Sequence, residues 1–134
     1  MNKVEHIGIA VKDIVSANKT YEALLGVAPY KSETVESEAV TTSFFQCGET
    51  KIELLEATRE DSAIAKSIVK RGEGVHHIAF SVEDIEAEIA RLSELGFTVL
   101  NERPKRGADN KWVAFLHPKS AHGVLVELCQ EIRE

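Results

Sequence analysis

Apolar and polar positions alternate along residues 4–11, and the same alternation returns 71 residues later. The first run reads Val4-Glu5-His6-Ile7-Gly8-Ile9-Ala10-Val11, and the second reads Val75-His76-His77-Ile78-Ala79-Phe80-Ser81-Val82. A period of two describes a strand with two distinct faces. Ile7, Ile9 and Val11 share one face of the first run, and Val4, His6, Gly8 and Ala10 the other. In the second, His76, Ile78, Phe80 and Val82 oppose Val75, His77, Ala79 and Ser81. The period then becomes helical. Ile14, Ala17, Tyr21, Leu24 and Leu25 form one apolar stripe, and Ile85, Ile89, Leu92 and Leu95 the other. Asp13 and Asp84 are placed to cap the free amides at the helix starts, and Gly26 and Gly96 to end the helices. Strand-like segments follow at 28–36, 40–47 and 50–57, and again at 97–101, 111–117 and 123–130.

The expected order is β-α-β-β-β, twice, in an α+β chain of one domain. Module one covers about 1–58, a packed linker about 59–72, and module two about 73–134. Within the linker, Ser62 to Lys70 reads as a short helix stopped before Gly72. Val4/Val75, His6/His77, Ile7/Ile78, Val11/Val82, Asp13/Asp84, Ile14/Ile85 and Leu24/Leu95 are identical at the same offset. A second match sets Lys51-Ile52-Glu53-Leu54-Leu55 against Leu125-Val126-Glu127-Leu128-Cys129.

This duplication changes how the histidines and glutamates are read. A single strand histidine is ordinarily structural, and a single glutamate ordinarily faces water. Repeated at matching places, His6, Glu53, His77 and Glu127 can meet on a pseudo-twofold axis as a divalent-metal site. The face carrying His6 and His77 also carries Gly8, Ala10, Ala79 and Ser81, which leave room in front of the sheet. His76 falls on the opposite face. Nitrogen and carboxylate donors admit Mn²⁺, Co²⁺, Ni²⁺, Zn²⁺ or Mg²⁺.

Bulk properties narrow the function further. A net charge of −6 argues against a nucleic-acid partner. No apolar run has the length of a membrane span. Cys47 and Cys129 form no disulfide scaffold or zinc-finger spacing, which favours a reducing, cytoplasmic setting. Cys129 shares the face of Glu127. The basic residues Arg103, Lys105, Arg106 and Lys111, with Lys119, read as a solvated loop or as a grip for an anionic substrate.

Several segments carry a family resemblance over nearly the whole chain. They are His6 to Val11, Lys51 to Glu56, Asp61 to Lys66, Gly72 to Phe80, and Phe115 to Lys119 running into Gly123 to Leu128. The chain resembles the vicinal-oxygen-chelate superfamily, and more narrowly the methylmalonyl-CoA epimerases. That resemblance implies a curved half-open barrel around a metal held by His6, Glu53, His77 and Glu127. It also implies a CoA thioester substrate, epimerised at C2 through an enolate, and a homodimer. Some family members have glutamine where this chain has Glu53, and a catalytic glutamate near the position of Thr42. The stretch Ala39 to Ser43 has no carboxylate, and Glu36 and Glu38 are the nearest. Glu127 is the expected base, with Glu53 as its counterpart. The rival readings are a glyoxalase I-type lyase using the same metal, and a non-catalytic binding protein of the same fold.

Overall fold

The structure, a computed structural model, describes residues 1–133. Its strands are β1 (Lys3–Ala10), β2 (Lys31–Val35), β3 (Val40–Cys47), β4 (Thr50–Ala57), β5 (Gly74–Ser81), β6 (Lys105–Gly107), β7 (Lys111–Leu116) and β8 (Val126–Glu131). The helices are α1 (Ile14–Leu25), α2 (Ala63–Arg71) and α3 (Ile85–Glu94). Among the described residues no helix is long and apolar enough to cross a membrane. The chain divides into two compact units, His6–His76 and Met1–Glu5 with the chain from His77 onward.

In the first unit the strand order is β2-β3-β4-β1, with β1 parallel to β4 and the other pairs antiparallel. The alternation assigned from sequence sorts its two faces. Val11, Phe45 and Leu54 pack with Ile9, Ile52 and the α1 residues Ile14, Ala17, Tyr21 and Leu25. Ala10, Val40 and Leu55 lie on the other face, beneath Ile64 and Ile68 of α2. Asp13 caps α1 by accepting from the Val15 and Ser16 amides, and Gly26 closes it at φ 75°. Ser62 caps α2 by accepting from the Ala65 amide.

The second unit runs β5-β8-β7-β6, with β5 parallel to β8 and the remaining pairs antiparallel. Phe80, Val82, Ala114, Val126 and Leu128 pack against Ile85, Ile89 and Leu92 of α3. The opposite face gathers Ala79, Val113, Cys129 and Phe115. The first residues of the chain join this unit through the Asn2 amide, which donates to the Ser81 carbonyl at 2.8 Å.

Two expectations are corrected. Residues 97–101 form no strand, and only Val99 bridges to Leu116. Asn101 explains the early stop, because its side-chain oxygen takes the Phe115 amide at 2.8 Å where a backbone ladder would continue. The pairing moves to β6, inside the stretch read as a loop. Gly107 permits that approach, since a Cβ there would sit 2.9 Å from a Val113 methyl. The duplicated leucines also leave the core: Leu24 is 70% and Leu95 65% exposed. Leu24 sits one residue, about 100° of helix turn, off the stripe that Leu25 occupies. Leu95 is past the last helical residue of α3. The remaining differences are end shifts. The first-module strand at 28–36 shortens to Lys31–Val35 and gives way to a 3-10 turn at Glu36–Glu38.

These packing assignments set a stability contrast. Leu54→Ala empties a fully buried site and lowers the unfolding free energy by about 2–5 kcal/mol. Leu24→Ala changes it by less than about 0.5 kcal/mol. Urea unfolding of the two variants measures both, and equal losses would contradict the packing of α1.

Candidate active site

Each unit positions one imidazole and one carboxylate by the same device, a parallel strand pair. In the β1/β4 register Gly8 lies opposite Glu53. Paired residues share a face, so His6, two residues before Gly8, points to the same side as Glu53. The result is His6 Nδ1 at 3.1 Å from Glu53 Oε2, with both side chains 6% exposed. In the β5/β8 register Ala79 lies opposite Glu127, and His77 is two residues earlier. His77 Nε2 is 3.0 Å from Glu127 Oε1, with both side chains 7% exposed. Glycine and alanine therefore occupy the cross-strand places opposite the two carboxylates.

An aromatic wall repeats as well. Phe44 on β3 is the register partner of Glu53, and Phe115 on β7 is that of Glu127. The Phe115 ring meets His77 edge-on, at 5.9 Å and 84°. Lys31 Nζ lies 4.9 Å from the Phe44 centroid, and Lys105 Nζ lies 5.9 Å from that of Phe115. Phe44 and Phe115 are separated by the same 71 residues as the histidines. The repeat offset alone therefore marks both rings in the sequence.

The structure holds three further features at these pairs that residue patterning did not reveal. Cys129 donates its thiol hydrogen to Glu127 Oε2 at 3.0 Å. Glu5 is 4% exposed, so β1 has two consecutive buried residues, and its carboxylate lies within 4.8 Å of the Cys129 sulfur. Strict alternation made Glu5 unremarkable. Thr42 is 1% exposed, and its hydroxyl has no hydrogen-bond partner among the described residues. It pairs with Leu55 on β4 and with Glu33 on β2, which puts its side chain on the face of Glu53.

Strand parity divides the basic residues. Lys105 is registered with Val113 and, through it, Cys129, on the face of Glu127. Lys111 shares that face and lies 3.9 Å from Glu131. Arg106 turns the other way, with its guanidinium carbon 5.5 Å from the Trp112 centroid. Arg103 is exposed, and Lys119 sits in the turn Pro118–Ala121. His76 is half-buried, in contrast to its buried neighbour His77. Glu36 is exposed and Glu38 half-buried on the turn before β3.

The donors fit a hard or borderline divalent ion. Each unit buries a carboxylate beside an imidazole, and buried charge is stable when paired or bound to metal. The atoms offered are one imidazole nitrogen and one carboxylate per unit, with no thiolate required.

Comparison with known proteins identifies the family. The family model described as the Glyoxalase/Bleomycin resistance protein/Dioxygenase superfamily matches residues 5–115. The chain is 42% identical to the ethylmalonyl-CoA/methylmalonyl-CoA epimerase of Cereibacter sphaeroides, covering 97% of this chain and 98% of that one. It is 37% identical to the human mitochondrial methylmalonyl-CoA epimerase, covering 97% of this chain and 74% of that one. A Streptomyces coelicolor methylmalonyl-CoA epimerase variant, solved with 2-nitronate-propionyl-CoA, is 37% identical, with 99% of each chain covered and a TM-score of 0.93. The chain therefore belongs to the Glyoxalase/Bleomycin resistance protein/Dioxygenase superfamily.

Proposed function

We propose that this protein epimerises methylmalonyl-CoA at C2, taking the proton from one face and returning it to the other. One observation carries the reading: the buried imidazole–carboxylate pair occurs twice, His6 with Glu53 and His77 with Glu127, in a chain that aligns end to end with epimerases. The C2 proton lies between a carboxylate and a thioester, so its removal leaves negative charge on the thioester oxygen. His6, Glu53, His77 and Glu127 would together hold one divalent ion, Co²⁺ or Mn²⁺. When bound, such an ion supplies Lewis acidity that lowers the cost of that charge.

The protein's own groups account for the proton. Glu127 is the base that removes it, and Glu53 the group that delivers one to the opposite face. Each acts as acid in one direction and base in the other. Phe44 and Phe115 keep water from the two carboxylates, and a dry site strengthens every charge interaction within it. Lys105 receives an anionic part of the substrate, because its ammonium lies on the Glu127 face rather than over Trp112 as Arg106 does.

The reaction is tested in deuterated water with each epimer of methylmalonyl-CoA, alongside methylglyoxal plus glutathione. Interconversion with solvent deuterium in the first-formed product is expected, while the recovered substrate stays initially unlabelled. Turnover of the hemithioacetal instead would replace this reading with a lyase. Glu127→Gln lowers kcat by about 10²–10⁴-fold. Glu53→Gln is also expected to cut kcat strongly. If it stays active and metal-loaded, Glu53 is a ligand alone, and Glu36 and Glu38 become the residues to test.

Metal dependence has its own measurement. Chelator treatment abolishes turnover, and added Co²⁺ or Mn²⁺ restores it. By elemental analysis His77→Ala loses bound metal while His76→Ala retains most of it, and equal loss would reject the assignment by strand parity.

The basic residues divide in the same way. Lys105→Ala raises KM with a smaller effect on kcat, the pattern of lost uniform binding, whereas Arg106→Ala leaves KM near the wild-type value. Equal KM changes in the two variants would refute the division.

A further inference from the structure

Glu127 makes a contact that the proposed reaction leaves unused. Cys129 follows it by two positions on β8, so the two side chains share a face. The thiol donates to Glu127 Oε2 at 3.0 Å, while His77 Nε2 lies 3.0 Å from Glu127 Oε1. Both carboxylate oxygens are thus engaged, each by a different group. Cys129 is 1% exposed and packs with Ala79 and Val113. The buried Glu5 carboxylate also lies within 4.8 Å of its sulfur, but the hydrogen bond goes to Glu127, and burial strengthens such a bond even from a weak S–H donor. The matching place beside Glu53 is Leu55, which has no donor and packs against Val40 and Ile64.

We propose that Cys129 is a positioning residue for the reaction, holding the Glu127 carboxylate in one orientation. A glutamate's terminal torsion is broad and roughly two-fold, so an untethered carboxylate swings between orientations of similar energy. With Oε1 toward His77 and Oε2 tied to the thiol, the plane of the carboxylate is fixed before substrate arrives. Small misplacements of a reacting group are costly in rate, which gives this fixed plane its value. The glutamate without the thiol is left to its other contacts, so the two carboxylates are not equivalent despite the duplication. This inference rests on Glu127 being the reacting carboxylate.

The test uses the metal-loaded protein and three measurements. Cys129→Ala removes the donor and lowers kcat on the order of 10-fold with little change in KM. Cys129→Ser keeps a hydroxyl donor and recovers most of that loss. In a Cys47→Ser background Cys129 is the remaining thiol, and its S–H stretching band lies clear of other protein absorptions. That band is expected at a lowered frequency, and Glu127→Gln shifts it upward because a neutral amide accepts more weakly than a carboxylate. Wild-type kcat in Cys129→Ala, or a serine variant no better than alanine, overturns the proposal. So does an S–H band that Glu127→Gln leaves unmoved, which means the thiol is only packed there. If the protein proves inactive toward methylmalonyl-CoA, the band decides separately whether the thiol holds Glu127, so failure of the epimerase reading is distinguishable from failure of this one.

Discussion

The burial of carboxylate governs most of what this protein places around its candidate site. An ionised glutamate taken out of water costs several kcal/mol unless a partner answers it. Of the three glutamates buried among the described residues, Glu53 and Glu127 each lie against an imidazole at about hydrogen-bond distance. Satisfying them requires parallel pairing of the first and last strands in each module, because that register sends histidine and glutamate to one face. It also requires small neighbours, which Gly8 and Ala79 provide, and a nonpolar wall, which Phe44 and Phe115 provide. Strand order, side-chain size and aromatic placement all follow from that need.

The two modules share this plan but do not execute it identically. His6 presents Nδ1 to its glutamate, and His77 presents Nε2. Glu53 is followed on its face by Leu55, which belongs to the cluster under α2, whereas Glu127 is followed by a thiol donor. A duplicated fold supplies two carboxylates, and divergence of their neighbours gives each a different environment. Under the proposed epimerisation such a difference has a use, since the two faces of C2 present unlike groups to the two carboxylates. The Thr42 hydroxyl, without a hydrogen-bond partner among the described residues, adds to the asymmetry, because the matching place 71 residues on is Val113.

Side-chain alternation made much of the site legible beforehand. The helix-facing sets around Ile9 and Leu54, and around Phe80 and Leu128, pack as their period implies. Both aspartate caps, the glycine stop of α1 and the linker helix follow from local rules that act within a few residues. The errors came where local rules compete with distant partners. Residues 97–101 have strand-like composition, yet the Asn101 side chain takes a ladder amide and pairing passes to Lys105–Gly107. Leu24 and Leu95 match across the repeat and still face solvent, since identity at an offset records ancestry rather than burial.

The sequence by itself determined the duplicated β-α-β-β-β plan and selected His6, Glu53, His77 and Glu127, because alternation and repetition are properties of the chain alone. It also put Cys129 on the face of Glu127. Only the tertiary structure decided which atoms face each other: that His77 engages one oxygen of Glu127 and Cys129 the other, and that Lys105 and Arg106 part to opposite faces. It alone buried Glu5 and left the Thr42 hydroxyl without a hydrogen-bond partner among the described residues. The reason is physical. Periodicity fixes the direction of a side chain, whereas rotamer, register and the neighbour across the sheet fix its contacts, and those depend on residues far away in the chain.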